Sequence, residues 1–121
     1  MNEDAAARGI ELYKKLRLPR GSGPALPENF RQMSMEHLFG DVWTRPGLEL
    51  SQRSMITVTT LAALGRTDQL RLHIHGALNV GLTATELEEM FIHIAHYAGW
   101  PVAVTAFETL AGVLAEREGP A

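Results

Sequence analysis

The sequence predicts an all-α protein, a compact and oligomeric bundle of about six helices. Three observations carry that reading. No segment shows the apolar–polar alternation of a strand. Helix boundaries are strongly punctuated, most clearly by the capping box Thr83-Ala84-Thr85-Glu86 and by Gly99-Trp100-Pro101. With 121 residues, 45% hydrophobic and 21% charged, the chain can close one packed core but not two. Residues 1–121 therefore read as a single domain, 1–27 being an N-terminal helix with its connection and 28–118 the core.

Glu3–Leu16 has the mixed charged and apolar spacing of a short amphipathic helix. Leu18–Pro27, with three prolines and two glycines, must be irregular. A second helix is expected from Glu28 to Phe39, followed by a loop, Asp41–Leu50, that holds Trp43, Arg45 and Pro46. Ser51 is the expected N-cap of a third helix running to Leu64 and ended by Gly65. Thr67 is the expected cap of a fourth, closed after Asn79 by Gly81. The capping box then opens a fifth to Ala98, and Pro101 suits the first turn of a sixth that ends near Arg117.

The third and sixth helices are apolar on every face. In Met55–Leu64 the only polar side chains are threonines, and Val102–Leu114 is broken only by Glu108 and two threonines. A helix apolar all round must be covered all round, and so small a bundle has few enclosed positions. Cover by a second subunit is the expectation.

The net charge of −3 and the absence of a long basic run argue against nucleic acid or an anionic membrane as partner. The chain has no cysteine, which excludes disulfides, thiolate nucleophiles and cysteine-based zinc sites. No apolar run approaches membrane-spanning length, and the N-terminal MNEDAAARGIELYKK lacks a signal-like apolar region. Cytoplasmic residence is expected.

The run LRLHIHGALNVG places His73 and His75 two residues apart on the fourth helix. At about 100° per residue they point roughly 200° apart and cannot share a ligand. Leu70, Ile74, Ala77 and Leu78 define the apolar stripe, with His73 at its edge among small neighbours. His75 falls on the face of Arg71 and Asn79, expected to be solvated or at a subunit boundary. His93 and His96 lie off the Leu87/Phe91/Ile94/Ala98 face, toward solvent or a neighbouring subunit. They could form half a metal site with Glu89, but the spacing supplies no complete one, and no metal is expected.

Met35 to Phe107 resembles the carboxymuconolactone decarboxylase family. The resemblance is carried by Phe39-Gly40-Asp41-Val42-Trp43, Arg45-Pro46-Gly47-Leu48, Arg53-Ser54 and Ala62-Ala63-Leu64-Gly65-Arg66. It continues through Leu72-His73, Gly76-Ala77-Leu78-Asn79, Gly81, Tyr97-Ala98-Gly99 and Pro101. It implies the alkylhydroperoxidase D-like helical fold, assembled as a trimer or hexamer. In the redox branch of that fold a Cys-x-x-Cys pair precedes a histidine, an alanine and a glycine. On that spacing His73, Ala77 and Gly81 take the last three positions, and Arg66 and Gln69 stand where the cysteines would be. Without either thiol, peroxidase or disulfide chemistry of that kind cannot run.

The decarboxylase branch implies cofactor-free loss of CO2 from a carboxylated unsaturated lactone, giving an enol-lactone in aromatic-acid degradation. Such a substrate is its own electron sink. The protein must hold a small dianion, stabilise the developing enolate and deliver a proton. His73 is the candidate proton donor. Arg53, at the start of the third helix, and Arg45 are candidate carboxylate anchors. Trp43 is a candidate pocket wall, and His96 is included among the candidate substrate-binding residues. Competing readings are a small-molecule-binding oligomer of the same fold, and an enzyme acting on another lactone or aromatic acid.

Overall fold

The computed structural model describes residues 2–119, and the regular structure among them is entirely helical. Helix α1 spans Glu3–Leu16; the Asn2 side chain caps it by accepting from the Ala5 N–H at 3.1 Å. Glu3 and Asp4 in its first turn and Lys14 and Lys15 in its last complement the helix dipole. After the irregular Pro/Gly connection come α2 (Glu28–Met33) and, without a break, a π-helical segment (Ser34–Val42). The helix expected to stop at Phe39 thus continues through Gly40, Asp41 and Val42 in a wider register. The Trp43 N–H closes it by donating to the Leu38 carbonyl, five residues back, at 2.9 Å.

The remaining helices are α3 (Leu50–Ala63), α4 (Thr67–Asn79), α5 (Ala84–Ala98) and α6 (Trp100–Glu118). Two expected caps are corrected. The α3 cap is Glu49, in a reciprocal capping box with Gln52, so Ser51 already lies inside the helix. Arg66, with no side-chain cap bond, precedes α4, so Thr67 is its first residue. The box at α5 forms as read, Thr83 and Glu86 exchanging bonds of 2.9 and 3.1 Å. Gly99, at φ +114°, turns the chain directly into α6 with Pro101 in its first turn.

The core has two parts. Val58 and Ala62 of α3, Leu70, Ile74 and Ala77 of α4, Leu87 and Phe91 of α5, and Ala106, Leu110 and Val113 of α6 form the larger cluster. Leu12 and Leu16 of α1 pack with Phe39 and Trp43 in the smaller one, which also takes in Leu50 and Val80. Leu50 begins α3 and Val80 follows α4. Their shared cluster reports the antiparallel α3–α4 pairing and joins the N-terminal pair to that end of the bundle. Very close backbone approach joins α1 to the π segment: a Cβ on Gly9 would strike the Met35 carbonyl, and one on Gly40 the Ala5 carbonyl.

The outer faces remain rich in apolar side chains. Ile56 and Leu64 near α3, Ile92 and Tyr97 on α5, and Trp100 and Val104 on α6 are all exposed in the single chain, Tyr97 to 83%. No helix among the described residues is long and apolar enough to cross a membrane.

Candidate functional site

Helix α4 runs through the middle of the molecule, with α3, α6 and α1 packed against it. Four consecutive residues, Ile74 to Ala77, are therefore buried, well beyond a single apolar stripe. His73 lies at the edge of this segment, half-buried, as its spacing suggested. Its ring stacks on Trp43 at 6.5 Å between centroids and 23° between planes. Trp43, 7% exposed, is fixed in turn against Phe39. The end of the π segment thus supplies a flat aromatic wall for the imidazole.

Arg53 enters from α3. One guanidinium nitrogen, Nη2, donates to the Arg45 carbonyl at 3.0 Å, which ties the first turn of α3 to the loop after Trp43. The Arg45 side chain itself is exposed. Residues expected to cooperate from three separate stretches are thus linked: His73 to Trp43 by stacking, and Arg53 to the Trp43 loop through a backbone carbonyl.

Unspent hydrogen-bonding capacity falls on the same two helices. Among the described residues, the buried side-chain polar atoms with no partner are His73 Nδ1, Arg53 Nε and Ser54 Oγ. All three belong to the α3–α4 hairpin. Buried polar groups are nearly always paired, because leaving one unpaired destabilises the fold. Three orphans on adjacent helices mark a polar surface that the fold itself does not use. Burial also holds the His73 imidazole below its ordinary proton affinity, since the charged form is the one desolvation penalises.

His75 requires a correction. Expected on a solvated face or a subunit boundary, it is only 8% exposed, because the last turn of α6 folds over it. Its Nε2 lies 2.8 Å from Glu116 Oε2, and Arg117 Nη1 lies 3.2 Å from its Nδ1. A guanidinium can only donate, so Nδ1 accepts and Nε2 carries the proton that goes to Glu116. Arg71 makes two further 2.8 Å bonds to Glu116, and Arg117 donates to Asn79 Oδ1 at 3.0 Å. The Asn79 amide closes the network by donating to the Leu16 and Arg17 carbonyls at the end of α1. Arg71 first, then His75, pull the Glu116 carboxyl down to about 2. The polar face of Arg71, His75 and Asn79 was legible; that Glu116 and Arg117 would cover it was not. In sequence those two residues look like an ordinary charged helix end.

His96 stands apart from this site within the chain. It is exposed, with Nδ1 2.9 Å from the Ile92 carbonyl of its own helix and its ring edge-on to Trp100 at 6.0 Å. His93 stacks on Tyr97 at 5.3 Å. Among the described residues no group of three or more His, Cys, Asp or Glu side chains is arranged to hold a metal ion. A groove of about 460 Å³ lies between α3 and α5, lined by Met55, Thr59, Met90 and His93 together with the carboxylates Glu86 and Glu89, and carrying no lysine or arginine. Arg66 and Gln69 are exposed, and the chain has no thiol to form a redox pair.

The site so defined is a cysteine-free one on an all-helical chain: an imidazole stacked on an indole, with one buried nitrogen of His73 and one of Arg53 left without a partner. The chain belongs to the carboxymuconolactone decarboxylase family, whose sequence pattern matches residues 28–111. It is 40% identical over 79 residues to the 4-carboxymuconolactone decarboxylase of Acinetobacter baylyi, covering 65% of this chain and 59% of that one. It is 37% identical over 76 residues to the nitrosuccinic acid decarboxylase of Metarhizium robertsii, covering 63% of this chain and 53% of that one. The match thus takes in little more than half of each of those relatives. An uncharacterized 15.0 kDa protein of Paracoccus denitrificans is 29% identical over 115 residues, covering 84% of this chain and 85% of its own.

Proposed function

We propose that the protein is a cofactor-free carboxy-lyase acting on a small dianion in which the electron pair left by the departing CO2 can delocalise into a built-in electron sink. The first substrate to supply is 4-carboxymuconolactone, an intermediate-type lactone of aromatic-acid breakdown. The observation that carries the reading is the pair of unpartnered buried nitrogens, His73 Nδ1 on a ring stacked against Trp43 and Arg53 Nε on a guanidinium tied to the Arg45 carbonyl. Two relatives are named as decarboxylases, of a carboxylated lactone and of nitrosuccinic acid. In both compounds an acceptor group, lactone carbonyl or nitro, can take the electrons left by CO2. The shared demand is a site that binds carboxylates and returns one proton.

In the assigned mechanism Arg53 holds a substrate carboxylate through Nε, its guanidinium kept in place by the Arg45 carbonyl. The exposed Arg45 side chain adds a second cation at the mouth. The bond to the departing carboxyl carbon breaks, CO2 leaves, and the electron pair moves through the alkene to the lactone oxygen. Protonation of the carbon beside that carbonyl by His73 restores the neutral lactone, and His73 regains its proton from water. Desolvation leaves His73 neutral in the empty site, so the bound dianion must supply the negative field that charges it. Trp43 keeps water from the imidazole face.

The exposed apolar residues of α3, α5 and α6 support assembly into a homo-oligomer. His96 would meet substrate only from a neighbouring copy in such an assembly.

The test is to supply 4-carboxymuconolactone and follow CO2 release by wild type and His73→Ala. No turnover by wild type overturns the substrate; unimpaired turnover by the variant overturns the role of His73.

A further inference from the structure

We propose that Ser54 is a third substrate-contacting residue of the His73 site, its hydroxyl donating a hydrogen bond to an oxygen of the bound anion. The inference rests on the site proposed above, and it concerns a residue that the mechanism there leaves unused.

Ser54 is fully buried, at 0% exposure, and its hydroxyl has no partner. The three threonine hydroxyls of α3 behave differently. Thr57, Thr59 and Thr60 each donate back to the carbonyl four residues earlier, at 3.0, 2.6 and 2.7 Å. That bond is the ordinary resting place of a helical hydroxyl, and Ser54 does not take it. A serine is a poor filler for an apolar position, since alanine gives nearly the same packing without a polar atom to desolvate.

Its placement suits the site. On α3 the buried line is Ser54, Val58 and Ala62; on α4 it is Leu70, Ile74 and Ala77. Arg53 and His73 each directly precede a member of these lines. In two antiparallel helices, residues one step before the inward-facing ones lean to the same side of the pair, because the right-handed turn is traversed in opposite directions. Both do lean one way, toward the Trp43 loop: His73 stacks on Trp43 and Arg53 reaches the Arg45 carbonyl. Ser54 heads the inward-facing line of α3 and directly follows Arg53 in the chain. A neutral donor beside a fixed guanidinium and an imidazole completes a pocket for a multi-oxygen anion, one donor for each oxygen direction.

The test compares wild type with Ser54→Ala by calorimetric titration with maleate, an unreactive dicarboxylate, by kinetics on 4-carboxymuconolactone, and by thermal denaturation. The expected result is maleate affinity weakened about tenfold and kcat/KM lowered tenfold or more, with the melting midpoint unchanged or raised. Affinity and kcat/KM both within twofold of wild type would overturn the proposal. A midpoint lowered by several degrees would also overturn it, by making Ser54 a packing residue. If wild type binds maleate but does not turn the lactone over, a tenfold loss of maleate affinity in the variant still supports the Ser54 contact, and only the decarboxylase reading falls. If wild type neither binds maleate nor turns over the lactone, both fall.

Discussion

The imidazole of His73 lies against the indole of Trp43, ring centroids 6.5 Å apart and planes 23° from parallel. This contact gives His73 a wall instead of a hydrogen-bond partner, so the ring loses water on one face and gains no charge in exchange. Desolvation then lowers its proton affinity. In the mechanism proposed above, His73 would then be charged by its substrate, and a dianion is suited to do so.

That coupling separates two pH profiles. The profile of kcat/KM reports the free enzyme, so its limb on the alkaline side should fall below the ordinary histidine value of about 6.5. The profile of kcat reports the complex, where the bound dianion favours the protonated ring, so it should hold to higher pH. Steady-state rates across pH, with proton uptake on binding measured by calorimetry in buffers of different ionisation heat, check both. Coincident limbs would contradict the substrate-charged donor.

The same shift predicts how stability responds to acid. The His73 pKa is lower in the folded protein than in the unfolded chain. The unfolded state therefore binds more protons as pH falls, and the contribution is complete above about 6.5 and lost as pH drops through the depressed folded value. Replacing His73 with Gln should flatten the denaturation free energy as pH falls below about 6.5, relative to wild type. Glu116 acts in a separate window: its carboxyl is held at about 2 by Arg71 and His75, so its contribution survives until strongly acid pH.

The sequence and the structure diverge in an instructive place. Helical periodicity placed His73 at the apolar edge, and the Thr83/Glu86 box and the Gly99–Pro101 break marked two boundaries, because caps and periodicity are local properties. Burial of His75 depends on Glu116 and Arg117, about forty positions away, and no local pattern encodes that crossing. The π register before Trp43 was illegible for a related reason: it accompanies close packing on α1, and a lone Gly40 does not announce its partner. Ser54 and Arg53 were visible as residues, but only the tertiary structure shows which of their atoms stay unpaired.

Asn79 joins three helices and should be the most sensitive polar position outside the site. Its amide donates to the Leu16 and Arg17 carbonyls at 2.8 and 3.1 Å, and its carbonyl accepts from Arg117 at 3.0 Å. Arg17 is the one described non-glycine residue with positive φ, at 47°, so the end of α1 depends on external partners. Substituting Asn79 with Ala should cost about 1–3 kcal/mol by leaving those carbonyls short of a donor. Denaturant titration measures this, and faster amide exchange in the last turns of α1 and α6 should accompany it.

The glycines supply a prediction of opposite signs. Gly40 faces the Ala5 carbonyl so closely that a Cβ would overlap backbone, and neither chain segment offers a flexible side chain to give way. Ala at this position should therefore cost about 1–3 kcal/mol as α1 and the π segment are pushed apart. Gly112, in the middle of α6, has open space where its Cβ would lie. Ala there should stabilise by about 0.5–1 kcal/mol, through helix propensity alone. The two substitutions also differ in reach. Gly40 lies three residues before Trp43, on the segment that presses the indole onto His73, whereas Gly112 touches nothing connected to the site. Gly40→Ala should thus move the His73 titration, followed by NMR, back toward its ordinary value, and Gly112→Ala should leave it where it is. Equal titrations in both variants would mean that the π segment does not hold the wall in place.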